Sequence, residues 1–370
     1  MKKLHILFVG IHNKLGGIET YMNKVLQHID LSRFQIDFLS FKGVKPCFYD
    51  EFLAKGCKFH FITSRKDNCL KNIRDIRILY KKEKFDIVHC HLNSLSYITP
   101  CVESCKSGIP VIVHSRNAAI IANPLSRILH NVNFHRLQKL PIVRVAVSDL
   151  AGQWMFGKKN FLVLNNGIDP TRYIYSEKSR NDIRKELNID DNAEVFLNVG
   201  AFRPQKNHHF IIRLFAEYLK FRPTAVLLLV GDGALRKEVE DKAVQLGVDK
   251  NVLFLGLRKD IPQILSAADK FLFPSFYEGF PNALLEAECC GLQCIVSDSI
   301  TKQAVIPELC ETVSLDAPID EWVKIMSRNR SADDRKYAVL KIKELGFDTD
   351  SEMKKLSNLY EEIFKNKVLV

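Results

Sequence analysis

The chain has 370 residues, 46% of them hydrophobic and 26% charged, which suits two domains that each bury a core. No run of 18 apolar residues occurs, so no membrane span is expected, and ten cysteines without a C-x-x-C pair give neither a zinc site nor a disulfide framework. The net charge of +11 is uneven: residues 1–170 hold 25 Lys and Arg against 12 Asp and Glu, and residues 171–370 hold 29 against 31. With no nucleic-acid-binding motif in view, the basic half reads as a surface for an acidic substrate, as a face for an anionic membrane, or as a solvated Lys-rich surface.

The N-terminus "MKKLHILFVGIHNKLGG" begins basic and then apolar, but the apolar run is short and leads into glycines and a helical pattern. It reads as a first buried strand rather than a signal peptide, and a cytoplasmic chain is expected. Further strands are expected at 35–41, 58–63, 85–91, 110–114 and 143–148, with amphipathic helices at 18–29 and 70–83. Strands that are apolar throughout and alternate with helices imply a parallel sheet covered on both faces. The pattern then restarts, with strands at 194–200, 225–231, 252–256, 270–274 and 293–297 and helices near 207–221, 234–246, 259–268 and 281–290. The fold class is therefore α/β, with two doubly wound domains, a hinge over 165–190 and a last helix near 350–365. Ligands of such sheets bind beyond the carboxyl ends of the strands, and the cleft between two such domains is the default site.

The loops at those ends carry the chemistry. In "FYEGFPNALLEAECCG" (276–291), Glu278 follows a strand and Glu286 lies eight residues on, in an otherwise apolar helix. Carboxylates there suit vicinal hydroxyls. The amides of Asn282, Ala283 and Leu284, at the start of the helix, offer an anion site. In "GAFRPQKN" (200–207), Arg203 and Lys206 bring two cations beside a helix N-terminus, as a diphosphate requires. The glycines of "VGDGALR" (230–236) could serve only their turn. In the first half, Gly16 and Gly17 leave room for backbone to approach a ligand without forming a dinucleotide fingerprint. His114, Arg116 and Asn117 stand at a strand end, with His114 read as functional. His89 and His91 read as packing, because no further metal ligand is found for them.

These segments together resemble the retaining glycosyltransferases of family 4. "YEGFPNALLEA" resembles the family's E-x7-E segment. "VGAFRPQKNH", "LVGDGALR", "VLFLGLRKDI", "CIVSD", "GGIET", "FDIVHCH", "VIVHSRN", "VAVS" and "VLNNGID" follow its order and spacing from about residue 4 to 300. The resemblance implies a GT-B fold of two facing Rossmann-like domains. It divides the chain into an acceptor domain over 1–170, a nucleotide-sugar domain over 171–347 and a helix over 348–370 that returns to the first domain.

It further implies Glu286 on the ribose hydroxyls, Glu278 near the donor sugar, and Gly279 and Phe280 offering backbone to that sugar. Asn282 to Leu284 would meet the phosphates, Lys206 the diphosphate, and His114 the reacting sugar, with Leu257 and Arg258 by the base. Relatives often carry Arg where this chain has Ala201, and Arg203 is expected to substitute. The implied partners are a nucleoside-diphosphate sugar, UDP-linked by expectation, and a saccharide or polyprenyl-diphosphate-linked acceptor at the anionic inner face of the membrane. The expected enzyme needs neither metal nor cofactor; "DTD" at 348–350 lies off any strand end, and Asp350 reads as a helix cap. Two rivals stay open: a sugar-nucleotide epimerase of similar fold, which would convert donor alone, and a non-catalytic partner subunit, to which Ala201 lends weight.

Overall fold

The computed structural model describes residues 3–118, 121, 123–329, 335 and 337–366. The chain divides into two units, unit 1 of residues 1–166 and 349–370 and unit 2 of residues 167–348. Unit 1 contains β1 (Leu4–Val9), α1 (Gly17–His28), β2 (Phe34–Phe41), α2 (Tyr49–Ala54), β3 (Phe59–Ile62), α3 (Cys69–Lys82), β4 (Ile87–Leu92), α4 (Thr99–Lys106), β5 (Val111–Ser115), α5 (Pro124–Leu137), β6 (Val143–Ala146), α6 (Asp149–Phe156) and β7 (Leu162–Val163). Unit 2 contains α7 (Glu177–Glu186), β8 (Val195–Val199), α8 (His208–Leu219), β9 (Val226–Val230), α9 (Arg236–Gln245), β10 (Val252–Gly256), α10 (Ile261–Ala267), β11 (Lys270–Phe273), α11 (Asn282–Cys289), β12 (Gln293–Ser297), β13 (Cys310–Val313), α12 (Ile319–Met326) and α13 (Ala338–Glu344). Finally α14 (Thr349–Asn366) rejoins unit 1.

Among the described residues unit 1 holds a seven-stranded sheet in the order β3-β2-β1-β4-β5-β6-β7, and unit 2 a six-stranded sheet in the order β10-β9-β8-β11-β12-β13. Every pairing is parallel. Both faces are covered by helices, which is why β4, β5, β11 and β12 are buried along their whole length. The strand order reverses between β1 and β4 in unit 1 and between β8 and β11 in unit 2. A crevice opens outside the carboxyl ends at such a point.

Local chemistry sets the boundaries. Asn68, Asn123, Ser148 and Ser176 cap α3, α5, α6 and α7, each accepting from an amide three residues on. Gly10 has φ +123°, and a Cβ there would meet the His91 carbonyl oxygen at 2.4 Å, so only glycine lets β1 end against β4. Helix α14 buries Met353, Leu356, Tyr360 and Ile363 in the unit 1 core with Tyr21, Met22 and Val25 of α1. Full burial of such apolar side chains contributes roughly 1.5–3 kcal/mol each. Lys24 of α1 forms an ion pair with the buried Glu352 of α14.

Three readings of the sequence need correction. The stretch 165–190 is not a hinge throughout: after residue 167 it carries a 3-10 turn, Pro170–Tyr173, and α7, both part of unit 2. Arg184 of α7 is 1% exposed, donates to the carbonyls of Ala267, Asp191 and Ala193, and pairs with Asp269 at 2.8 Å. A guanidinium so satisfied is a buried anchor rather than linker charge. Asp350 lies inside the first turn of α14, where its charge favours the helix dipole, and is not the cap. The short edge strands β7 and β13 were not expected.

Candidate functional site

The switch point of unit 2 gathers the loops after β8 and β11. Beyond β8 the backbone passes through Gly200 and a 3-10 turn, Pro204–Lys206, with Asn207 left-handed at φ 56°. Asn207 Nδ2 donates to the Pro274 carbonyl at 3.2 Å, and the Phe276 amide donates to the Gln205 carbonyl at 2.9 Å, so the two loops are laced together. The Lys206 chain runs over Gly200, where a Cβ would lie 3.1 Å from Lys206 Cε. Its Nζ stands 4.6 Å from the centre of the Phe273 ring and 2.8 Å from Glu278 Oε1, an ion pair whose angle lies outside that of a hydrogen bond.

Glu278 is 6% exposed, and its Oε2 accepts from Gln205 Nε2 at 3.0 Å. The structure therefore brings Lys206 and Glu278 together, with Gln205, which the sequence reading missed; its only signal was its place beside Lys206. Arg203 is exposed, and among the described residues its side chain makes no hydrogen bond or ion pair. The glycines of 230–236 serve packing. Gly231 has φ +142° and would meet the Gly200 oxygen at 2.1 Å, and Gly233 lies against the Phe202 backbone.

Helix α11 forms the adjoining wall. The expectation of free amides at its start is corrected in part. The Asn282 amide donates to Phe280 O at 3.1 Å and the Leu284 amide to Pro281 O at 3.0 Å, because a tight turn precedes the helix. No such bond is made by the Ala283 amide among the described backbone. Glu286 is partly exposed on this helix and interacts with Tyr173, on the 3-10 turn that the sequence reading left unstructured. Burial of its carboxyl raises its pKa to about 7, against the lowering effects of the Tyr173 hydroxyl and of Arg172. Glu288, two residues on, is fully buried and pushed to about 8. It accepts from the Ile306 amide at 2.7 Å and the Cys310 thiol at 2.9 Å, a structural tie for the following segment.

Gly279 is buried, and the Phe280 ring packs 5.9 Å from that of Phe347, which leaves Phe280 backbone rather than side chain for a ligand. Leu257 is 82% exposed. Arg258 is held by Asp260 at 2.6 Å and Glu186 at 2.8 Å, so its guanidinium is already neutralised.

In unit 1, His114 is fully buried near the carboxyl end of β5 and is not alone. His89 Nε2 lies 3.2 Å from His114 Nδ1, His89 Nδ1 lies 2.8 Å from the Tyr360 hydroxyl, and Arg116 Nη1 lies 3.2 Å from His114 Nε2. A guanidinium can only donate. His114 Nε2 must therefore accept, its Nδ1–H donates to His89 Nε2, and His89 Nδ1–H donates to Tyr360; the hydrogen-bond pattern assigns both tautomers. Arg116 is itself fixed by Asn166 Oδ1 at 2.7 Å and stacks 3.7 Å from the centre of the Tyr21 ring. Burial and the Arg116 charge hold both imidazoles neutral, His89 at a pKa of about 3 and His114 well below its usual range.

So His89 is part of a relay and not packing alone. His89, His91 and His114 bring nitrogens within 4.8 Å of one another, which supplies the third histidine missing from the sequence reading. Both nitrogens of His89 and both of His114 are engaged, the His89 and His91 rings stack at 4.0 Å, and a guanidinium adjoins, an arrangement that fits a hydrogen-bonded chain better than a cation. Gly16 and Gly17 precede and open α1; Gly16 is extended at φ −153°, where a Cβ would lie 3.1 Å from Oε2 of the buried Glu19, and a Cβ at Gly17 would meet nothing within 4 Å, so the fold does not demand glycine at 17.

A cavity at the amino ends of the unit 2 strands is lined by Arg180, Glu194, Asp269 and Lys270. Arg180 pairs there with Asp269 at 2.9 Å and Lys270 with Glu194 at 2.5 Å, Arg222 and Arg335 also line it, and it lies at the end of the sheet opposite the strand carboxyl ends where ligands of such folds bind.

Comparison with known proteins bears on this geometry. Residues 5–140 match the model of the "Glycosyl transferase 4-like" family and residues 179–308 that of "Glycosyl transferases group 1". The chain is 31% identical to the putative glycosyltransferase EpsF of Bacillus subtilis, over 93% of each chain. It is 26% identical to the UDP-Gal:alpha-D-GlcNAc-diphosphoundecaprenol alpha-1,3-galactosyltransferase of Escherichia coli, over 99% of this chain and 98% of that one. Among solved structures it resembles Anabaena Alr3699/HepE in complex with UDP and glucose, with a TM-score of 0.77 at 19% identity over 97% of this chain and 100% of that one.

Proposed function

The chain belongs to the glycosyltransferase family that these two models describe and has its GT-B fold, and from that premise we propose a retaining transfer of a sugar from a nucleoside-diphosphate sugar, UDP-linked, to a polyprenyl-diphosphate-linked saccharide during synthesis of a bacterial surface polysaccharide. The observation that carries the reading is Glu278, buried and held by Lys206 and Gln205 at the switch point of unit 2. Lys206 has three donors, of which Glu278 takes one direction, so the others remain for a diphosphate. Glu278 then turns a carboxylate oxygen to the sugar hydroxyls, and Glu286 takes the ribose hydroxyls from the α11 wall. Charge on the departing diphosphate falls to Lys206 and the Ala283 amide, so no metal is called for. The diphosphate oxygen assists the incoming hydroxyl on the same face, which retains the anomeric configuration. His114, fully buried with both ring nitrogens engaged by Arg116 and His89, acts in this reading by holding Arg116 in place rather than by touching the sugar.

Attachment is to an anionic inner membrane face, through unit 1. Residues 104–148 include six Lys and Arg and no Asp or Glu, and α5 exposes Leu125, Ile128 and Val132 on one side. No helix among the described residues is long and apolar enough to cross a membrane.

Incubation of the purified protein with a panel of nucleotide sugars tests the reading: slow release of one nucleoside diphosphate is expected, accelerated by a lipid-linked saccharide. Conversion of the donor to an epimer without release would favour the epimerase, and binding of none would favour a non-catalytic subunit.

A further inference from the structure

Among the described residues the Glu278 carboxylate makes one hydrogen bond, and it comes from Gln205. Glu278 is 6% exposed, and its Oε1 is covered: Lys206 Nζ stands 2.8 Å away, but Oε1 accepts no hydrogen bond. Oε2 accepts from Gln205 Nε2 at 3.0 Å. A carboxylate oxygen has two lone-pair directions, so Gln205 fills one on Oε2 and leaves the other.

The same Nε2 donates to the Tyr277 carbonyl at 2.8 Å. Gln205 thus spans the main chain at 277 and the side chain at 278, which fixes the carboxylate against its own backbone. Both neighbours are acceptors only, so a flipped amide would set its Oε1 against two oxygens, and the hydrogen-bond pattern assigns one orientation. The main chain is held separately. The Gln205 carbonyl accepts from the Phe276 amide at 2.9 Å, and Asn207 Nδ2 donates to the Pro274 carbonyl at 3.2 Å. The loop after β8 therefore stays laced to the loop after β11 without the Gln205 side chain. Consecutive residues divide the work on Glu278: Lys206 brings a charge to Oε1, and Gln205 brings a neutral donor that sets direction at Oε2.

We propose that Gln205 is a positioning residue for the transfer: its amide sets the angle of the Glu278 carboxylate, so that the remaining lone pair of Oε2 meets a hydroxyl of the donor sugar. The role rests on the transferase reading, in which Glu278 meets that sugar, while the clamp itself stands on the distances above.

The test compares wild type with two variants of the intact protein. Gln205→Leu keeps the bulk of the side chain and loses its donors, and Gln205→Glu keeps shape and polarity but cannot donate to both oxygens. Turnover is read as nucleoside diphosphate released from UDP-glucose, UDP-galactose, UDP-N-acetylglucosamine and GDP-mannose. Calorimetry with the matching nucleoside diphosphate is the sugar-free control. In both variants kcat should fall roughly 10- to 100-fold, the loss that a misplacement of about 1 Å brings, while nucleoside-diphosphate affinity stays within about threefold. That unchanged affinity shows a folded donor site and separates positioning from damage to the loops. Wild-type kcat in either variant, or a loss of nucleoside-diphosphate affinity in step with kcat, overturns the proposal. Nitrogen-15 NMR reads the clamp without a donor: the Gln205 side-chain amide signal, assigned by its loss in Gln205→Leu, should shift in Glu278→Leu, and an indifferent signal overturns the clamp. A wild type that turns over none of the four donors yet shows the shift keeps the clamp and refutes the transferase reading. A working transferase in which Gln205→Leu is silent does the reverse.

Discussion

Glu286 offers a sharp pH test of the proposed donor site. Its pKa of about 7 against an ordinary 4.5 means that its surroundings, burial first, disfavour the ionised form by a net of roughly 3 kcal/mol, against the lowering effects of Tyr173 and Arg172. The folded pKa is raised, so this group stabilises the ligand-free fold fully below 4.5 and that contribution is lost as pH rises through about 7. Binding runs the other way. A carboxylate accepts ribose hydroxyls through charge-assisted bonds of about 1.5–3 kcal/mol, against about 0.5–1.5 for a neutral acid. The difference predicts that nucleoside-diphosphate affinity rises roughly 5- to 10-fold from pH 5.5 to 8.5, with its midpoint near 7. Calorimetric titration with UDP across that range measures it, and Glu286→Gln corrects for the titration of the phosphate itself. Tyr173→Phe removes a donor that lowers the pKa, so the midpoint should move upward. A pH profile shared by wild type and Glu286→Gln would refute the placement of Glu286 on the ribose.

Lys206→Ala should abolish measurable turnover, whereas Arg203→Ala tests compensation for Ala201: a comparable loss in donor titrations makes Arg203 the substitute, and a silent variant makes the change at 201 uncompensated. The buried His89 has a depressed pKa of about 3, so its contribution is present above 6.5 and lost as pH falls toward 3. Urea unfolding should show that acid loss, and Tyr360→Phe, which leaves His89 Nδ1–H unpaired, should cost a further 1–3 kcal/mol or about that at neutral pH. Co-sedimentation should show binding to anionic but not neutral vesicles, released by salt as the screening length falls to about 3 Å at 1 M, and weakened by Ile128→Glu on α5; equal, salt-insensitive binding to both vesicle types would exclude unit 1 as an electrostatic anchor.

The doubly wound sheets were legible because strands covered on both faces are mostly apolar, as β9 is throughout and β1, β4, β8 and β12 are but for one or two polar positions each. The two-residue β7 and the four-residue β13 are too short to show a pattern, and α7 hides because its surface is polar and its anchor is an arginine. Glu278 and Lys206 were readable because both follow strands at carboxyl ends. Gln205 and Tyr173 were not, since each matters only through a partner more than seventy residues away in sequence. The amides of α11 were over-read because the turn at Phe280–Pro281 takes two of them first.

The central claim is that Glu278 and Lys206 direct a metal-independent transfer with retention. Proton NMR of the product formed from an α-linked nucleotide sugar and a lipid-linked acceptor in the presence of EDTA measures it directly. An α-linked product from the wild type, with none from Glu278→Gln or Lys206→Ala, is the predicted result; a β-linked product, or undiminished transfer by either variant, would contradict it.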